Sequence, residues 1–250
     1  MVFVRNSSNP AVQSTSAYSG SGALSCITDS SIVKSFYVKD PGSALTHLIA
    51  FIFAVLATPF MLIHYAQAGA DLPAMAGAAV FMMSMVLLYA ASTTYHSFNI
   101  SEKGNLILKK VDHMMIPVLI AGSYTPACLT VLKSSGGIRL LLIVWGIAAA
   151  EMLFKIFWVT CPKWVSSVIY ITMGWVCLMY LPQIIRSVSP AGFFWLLAGG
   201  LLYTAGGVIY AMKFPVFGGR YRYFGTHELF HVFVMAGSLC HFVAVYGCMV

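Results

Sequence analysis

Three histidines have the type and spacing to share one metal ion. His227 and His231 stand four residues apart in His227-Glu228-Leu229-Phe230-His231, so on a helix both side chains lie on one face. His96 closes a separate apolar run in Ser92-Thr93-Thr94-Tyr95-His96. Three neutral imidazoles are three of the four ligands of a tetrahedral zinc, and a fourth position left to water marks a catalytic site. Zinc in such a site brings the pKa of its water down to about 7. A carboxylate is then expected nearby to hold the water and take its proton, and Asp112 is the candidate. Ser92 lies one turn from His96 on the same face.

Other polar residues compete for attention. The segment from His227 spells H-E-x-x-H, the motif in which metalloproteases use the glutamate as general base. A glutamate in the first turn of a helix is also explained by the helix dipole, so Glu228 is read as a capping or supporting group. His241 lies ten residues past His231, about 15 Å deeper by helix rise, too far to share the ion. It reads as a packing residue or part of a cavity wall. His47, His64 and His113, taken singly, read as hydrogen-bonded side chains. Glu151 and Lys155 read as an ion pair within one helix, with Lys155 reaching along its stem toward the membrane surface. Gly199, Gly200, Gly206 and Gly207 read as a face for close helix packing.

The elements that must position these residues are membrane helices. The 250 residues are 60% hydrophobic and 8% charged, and the mean hydropathy is +0.85. Soluble domains carry about 25% charged residues, so the chain is expected to be an all-α, polytopic membrane protein. Seven apolar runs are long enough to span a bilayer, at about 43–65, 73–97, 113–132, 138–158, 164–182, 191–212 and 228–249. Pro59, Pro117, Pro126 and Pro182 fall inside or at the ends of runs, where membrane helices tolerate them. With seven alternating spans, eleven of the fourteen Lys and Arg residues fall on one side: Arg5, Lys34, Lys39, Lys103, Lys109, Lys110, Lys155, Lys163, Lys213, Arg220 and Arg222. Lys133, Arg139 and Arg186 fall on the other. The positive-inside rule then places the N-terminus in the cytoplasm and the C-terminus outside. That orientation brings Ser92, His96, Asp112, His227 and His231 to the cytoplasmic ends of the second, third and seventh spans.

Residues 1–40 read as a Ser-rich, disordered cytoplasmic tail and 41–250 as the seven-helix domain. The tail lacks the apolar core of a signal peptide, and Ile32 to Tyr37 offers at most a short surface helix. Six scattered cysteines form no C-x-x-C pair and read as small buried hydrophobes. The net charge of +7 is dispersed, which argues against nucleic acid as a partner.

These residues resemble the hemolysin III family and, through it, the progestin and adipoQ receptor superfamily that includes the adiponectin receptors. The resemblance rests on Ser92-x-x-x-His96, Asp112-His113, Ala121-Gly122-Ser123-Tyr124-Thr125-Pro126, and His227-x-x-x-His231 followed by His241. His47 also fits the bacterial branch, and the resemblance covers about residues 40 to 250. It implies seven helices with the N-terminus inside, and zinc on His96, His227 and His231. It implies Asp112 touching the zinc-bound water and Ser92 close by. It also implies a lipid amide hydrolase of ceramidase-like activity, whereas hemolysin III members carry the label of pore-forming cytolysins. The hormone-binding regions of the eukaryotic receptors have no counterpart here.

Four functions follow for comparison. The first is zinc-dependent hydrolysis of a lipid amide at the cytoplasmic side, with Asp112 and Ser92 as catalytic residues and membrane lipids as partners. The second is a pore-former or channel, with zinc pinning helices together; no span shows the evenly polar stripe of a wide aqueous path. The third is an intramembrane metalloprotease, for which no second acidic ligand is evident. The fourth is a non-enzymatic sensor of lipid or metal. A bacterial plasma membrane is the expected location, and a homo-oligomer is compatible with all four.

Overall fold

The computed structural model describes residues 38–212 and 224–249. Most of the expected tail, with Arg5, Cys26, the Ile32 to Tyr37 piece and Lys34, lies outside the described residues, as do Lys213, Arg220 and Arg222.

The described chain is helical, and no strand occurs among these residues. Its helices are α1 (Pro41–Gln67), α2 (Leu72–Ser97), α3 (Glu102–Leu129), α4 (Gly137–Trp158), α5 (Lys163–Gly174), α6 (Leu181–Ser187), α7 (Pro190–Met212) and α8 (Thr226–Cys248), with a 3-10 turn at Val176–Tyr180 between α5 and α6. Six helical segments are long and apolar enough to cross a membrane: α1, α2, α4, Lys163–Ser187, α7 and α8. The chain is an integral, multi-pass membrane protein. Helix α3 is 28 residues long but more polar, carrying Lys103, Lys109, Lys110, Asp112 and His113 in its first half.

Local chemistry sets the boundaries. The Asp71 carboxylate caps α2 by accepting from Ala74 N at 3.0 Å, and Ser101 Oγ caps α3 by accepting from Gly104 N at 3.1 Å. The Ser101 cap starts α3 eleven residues before the expected 113, because the turns that carry Lys103, Lys109 and Lys110 are helical ahead of the apolar run. The fifth expected span, 164–182, is broken after Gly174. Tyr124 on α3 holds the break: its hydroxyl lies 2.5 Å from Gly174 O and 3.2 Å from Met173 O, and it accepts from Cys177 N at 3.2 Å. Irregular backbone at membrane depth is tolerated where protein or a cavity covers it.

Helices α1, α2, α3, α5, α7 and α8 form a closed ring of neighbours, and α4 packs on α3. The α2–α3 crossing is close because Gly122 has no side chain; a Cβ there would run into Ser84 Oγ and Cβ. Tyr65, Phe81, Met82, Met85, Tyr89 and Val245, all nearly inaccessible, fill the core between α1, α2 and α8.

Candidate metal centre

The site is assembled at one end of α1, α2 and α8. The residues entering α1 dock on the last turn of α2: Lys39 N donates to Ser97 O at 3.3 Å and Asp40 N donates to His96 O at 2.9 Å. The Lys39 ammonium sits over the Tyr95 ring, 3.5 Å from its centroid. Burial there lowers its pKa against the opposing pull of Asp40. One turn on, Ser43 has no exposed surface and donates to Glu228 Oε1 at 2.5 Å. Glu228 Oε2 accepts from Gly225 N at 2.8 Å, which caps α8. Both oxygens of Glu228 are therefore engaged in joining α8 to α1 and closing its own first turn.

This scaffold brings His96, His227 and His231 together. One ring nitrogen from each lies within 4.8 Å of the other two, and His96 and His231 are 3% and 2% exposed. The tautomers follow from the neighbours. Asp40 Oδ2 lies 3.0 Å from His96 Nδ1, so that nitrogen donates to the carboxylate and Nε2 keeps its lone pair. The Thr46 hydroxyl has one hydrogen, directed at Ser43 O or Gly42 O at 2.9 and 3.1 Å. Toward His231 Nδ1, at 3.2 Å, it therefore accepts, and His231 Nε2 is left as the ligating nitrogen. His96 Nε2 faces His227 Nε2 at 3.3 Å. Two nitrogens bound to one tetrahedral zinc at about 2.05 Å stand about 3.3 Å apart.

The donor set fits a metal ion. Carboxylate and hydroxyl partners behind metal-binding imidazoles fix ring orientation and raise ligand basicity. Imidazole suits zinc, copper, iron and nickel. His47 adds a fourth ring: it stacks on His231 with centroids 3.6 Å apart and planes at 11°. Both of its nitrogens are buried without a hydrogen-bond partner, as is Nδ1 of His227.

Asp112 and Ser92 border the same space. With His47, His227 and His231 they line a cavity of about 320 Å³. Asp112 Oδ2 stands 3.3 Å from His113 Nδ1, although that nitrogen lacks hydrogen-bond alignment. Away from the histidines the wall is largely apolar. On α7 it takes Phe193, Leu197, Gly200, Thr204, Gly207 and Tyr210, a helical stripe that covers about 25 Å of rise.

Some residues behave differently from their expectation in the sequence. Lys155 has no exposed surface and turns inward, donating to Ser166 Oγ at 2.6 Å and Cys161 Sγ at 3.2 Å. It keeps Glu151 at 3.6 Å but does not reach the membrane surface. The four glycines of α7 divide: Gly199 and Gly206 meet His241 and Phe233 of α8, whereas Gly200 and Gly207 line the cavity. His241 lines the cavity and stacks on Tyr203, centroids 5.4 Å apart. Asp40 and Thr46, which hold two of the three imidazoles, carry no signal in the sequence because their partners are 56 and 185 positions away.

The chain is similar to known proteins over most of its length. The model of a family described as haemolysin-III related matches residues 36–242. The Hemolysin-3 homolog of Bacillus subtilis (strain 168) is 36% identical over 211 residues, which cover 84% of this chain and 94% of that protein. Hemolysin-3 of Bacillus cereus is 33% identical over 210 residues, 84% of this chain and 91% of that protein.

Proposed function

The chain belongs to the haemolysin-III related family, and from that membership and the histidine geometry together we propose that it is a zinc-dependent hydrolase of a lipid amide. The reading is carried by one observation: three imidazoles converge, and two of them, His227 and His231, line a largely apolar cavity whose wall also presents the Asp112 carboxylate. His96, His227 and His231 would hold zinc, which when bound supplies Lewis-acid polarisation of a carbonyl and an activated water.

The remaining work falls to the protein's own residues. Asp112 accepts the proton of the attacking water and passes it to the nitrogen of the leaving amine. Ser92 donates to the developing oxyanion or positions Asp112. The apolar stripe of α7 takes the acyl chain and keeps bulk water out. A lipid substrate suits a cavity enclosed by helices that themselves face the bilayer.

Seven crossings with a cytoplasmic N-terminus accompany this reading. Six candidate spans stand without α3, and α3 lies between α2 and α5 in the ring of contacts and is long enough to cross. The eleven-to-three division of Lys and Arg supports the orientation.

The test is metal analysis of purified protein beside His96→Ala, His227→Ala and His231→Ala, with lipid products read by mass spectrometry. Asp112→Asn is expected to keep stoichiometric metal and lose turnover by about 10²-fold or more, the scale of a general acid–base contribution. Metal-loaded protein that cleaves nothing across a broad panel of lipid amides would refute the reading. The relatives' name, Hemolysin-3, favours a second reading, membrane permeabilisation with the metal in a structural role. Conductance or vesicle leakage that survives His96→Ala is its expected result.

A further inference from the structure

The cavity wall carries a second polar group that is not part of the histidine trio. Lys155 on α4 is fully buried, and Glu151 and Cys161 beside it are buried as well. The Lys155 ammonium donates to Ser166 Oγ at 2.6 Å and to Cys161 Sγ at 3.2 Å, and stands 3.6 Å from Glu151 Oε1. Its three hydrogens thus have three neighbours. Lys155 does not reach the cavity, but Ser166 does, together with Ser167 and Tyr170.

This arrangement leaves Ser166 with a hydrogen to give. Its oxygen already accepts from an ammonium, and a hydroxyl polarised in that way donates more strongly. Within the cluster the available acceptor is Cys161 Sγ at 3.2 Å, and sulfur is a weak acceptor. An oxygen entering the cavity is a better one. Ser166 also lies in the first turn of the twelve-residue α5, the end of a helix that favours negative charge.

We propose that Ser166, backed by Lys155, forms an anion subsite that receives the oxyanion headgroup, carboxylate or phosphate, of a single-chain amphiphile whose chain lies along the α7 stripe. The subsite goes beyond the hydrolase reading and does not involve the metal. Glu151 balances the ammonium, so the incoming anion is met by one strengthened hydrogen bond rather than by an uncompensated charge. The expected preference is therefore about tenfold, or about 1.4 kcal/mol.

The experiment uses the full chain, purified in a neutral detergent and stripped of metal. Tryptophan fluorescence, to which Trp175 in the cavity wall contributes, reports titration with dodecyl phosphate, dodecanoate and dodecanol. Wild type is expected to bind the two anions about tenfold more tightly than the alcohol, a gap of about one decade in Kd. Ser166→Ala weakens the two anions more than dodecanol and closes the gap to within about twofold, and Ser166→Thr, which keeps the hydroxyl, restores the preference. His96→Ala retains it, so loss of the metal chemistry and loss of this subsite are separate results. An equal gap in wild type and Ser166→Ala, or no gap in wild type, overturns the proposal. Competition by inorganic phosphate alone would mark a free-ion site and overturn the amphiphile assignment.

Discussion

Removing the carboxylate of Asp40 should weaken metal binding without removing a ligand. His96 Nδ1 donates to Asp40 Oδ2 at 3.0 Å, and the backbone of Asp40 holds the last turn of α2 independently through its own N–H. Outer-shell partners of this kind are worth about 10- to 100-fold in metal affinity. The Asp40 side chain is 44% exposed, so solvent screening places the effect at the lower limit, about tenfold or about 1.4 kcal/mol for Asp40→Ala. Asn keeps an acceptor oxygen but not the charge. A neutral hydrogen bond has roughly half the strength of a charge-assisted one, so Asp40→Asn should lose about 0.7 kcal/mol, or about threefold. The side chain makes no capping bond to α1, which keeps helix stability out of the comparison. The assay is competition for zinc against a chromophoric chelator, with His96→Ala as the reference for loss of a ligand. An Asp40→Ala affinity within twofold of wild type, while His96→Ala loses the ion, would refute the reasoning.

Four further outcomes follow from the contacts. Glu228→Ala strands the fully buried Ser43 hydroxyl and the Gly225 N–H; thermal unfolding in detergent should show a loss of about 1–3 kcal/mol. Glu228→Gln should leave zinc stoichiometry intact, whereas a base in the H-E-x-x-H sense would lose turnover entirely. Gly122→Val forces α2 and α3 apart at Ser84; the expected cost is about 1–3 kcal/mol, and Ser84→Gly in the same chain should recover part of it. The Asp71 carboxyl, outside the spans, is held below the ordinary carboxylate pKa by its hydrogen bonds from Lys133, at 2.7 Å, and from Ala74 N. A depressed folded-state pKa stabilises above the unfolded pKa of about 4 and the gain fades as pH falls through the folded value. The thermal midpoint of wild type should therefore drop relative to Asp71→Asn between pH 5 and pH 3, and parallel curves would contradict this.

What the sequence reveals divides along physical lines. Hydropathy locates the spans because burial in lipid demands an unbroken apolar run, and α1, α2, α4, α7 and α8 begin and end within two residues of their expected limits. It misplaces the start of α3 because the turns from Glu102 to Asp112 are helical without being apolar; their cap, Ser101, is the signal that was there to find. It misses the break after Gly174, since the group that replaces the lost helical bonds is Tyr124, fifty positions upstream. The histidine trio is legible because i,i+4 spacing survives in the primary sequence. Lys155 is misread for the opposite reason. A lone lysine near a helix end is expected to extend outward, and nothing in α4 itself announces that Ser166 and Cys161 of the next segment will surround it.

The support of the candidate metal centre comes from α1, the one helix of the three that contributes none of the three histidines. Within eight residues it sends Asp40 to His96 of α2, Ser43 to Glu228 of α8, Thr46 to His231 of α8, and lays His47 over the His231 ring. In a bilayer, lipid is as apolar as the helix faces, so burial of leucine does not determine how far one helix slides along another. Hydrogen bonds do. A slip of one residue moves a helix by about 1.5 Å, enough to take His96 Nε2 out of the 3.3 Å relation it has with His227. The polar contacts of the α1 entry therefore set the relative depth of α2 and α8. They also explain why a chain with so few charged residues keeps Asp40 and Glu228 at that end: each is an acceptor that holds a helix in register, and the geometry of the three imidazoles depends on both.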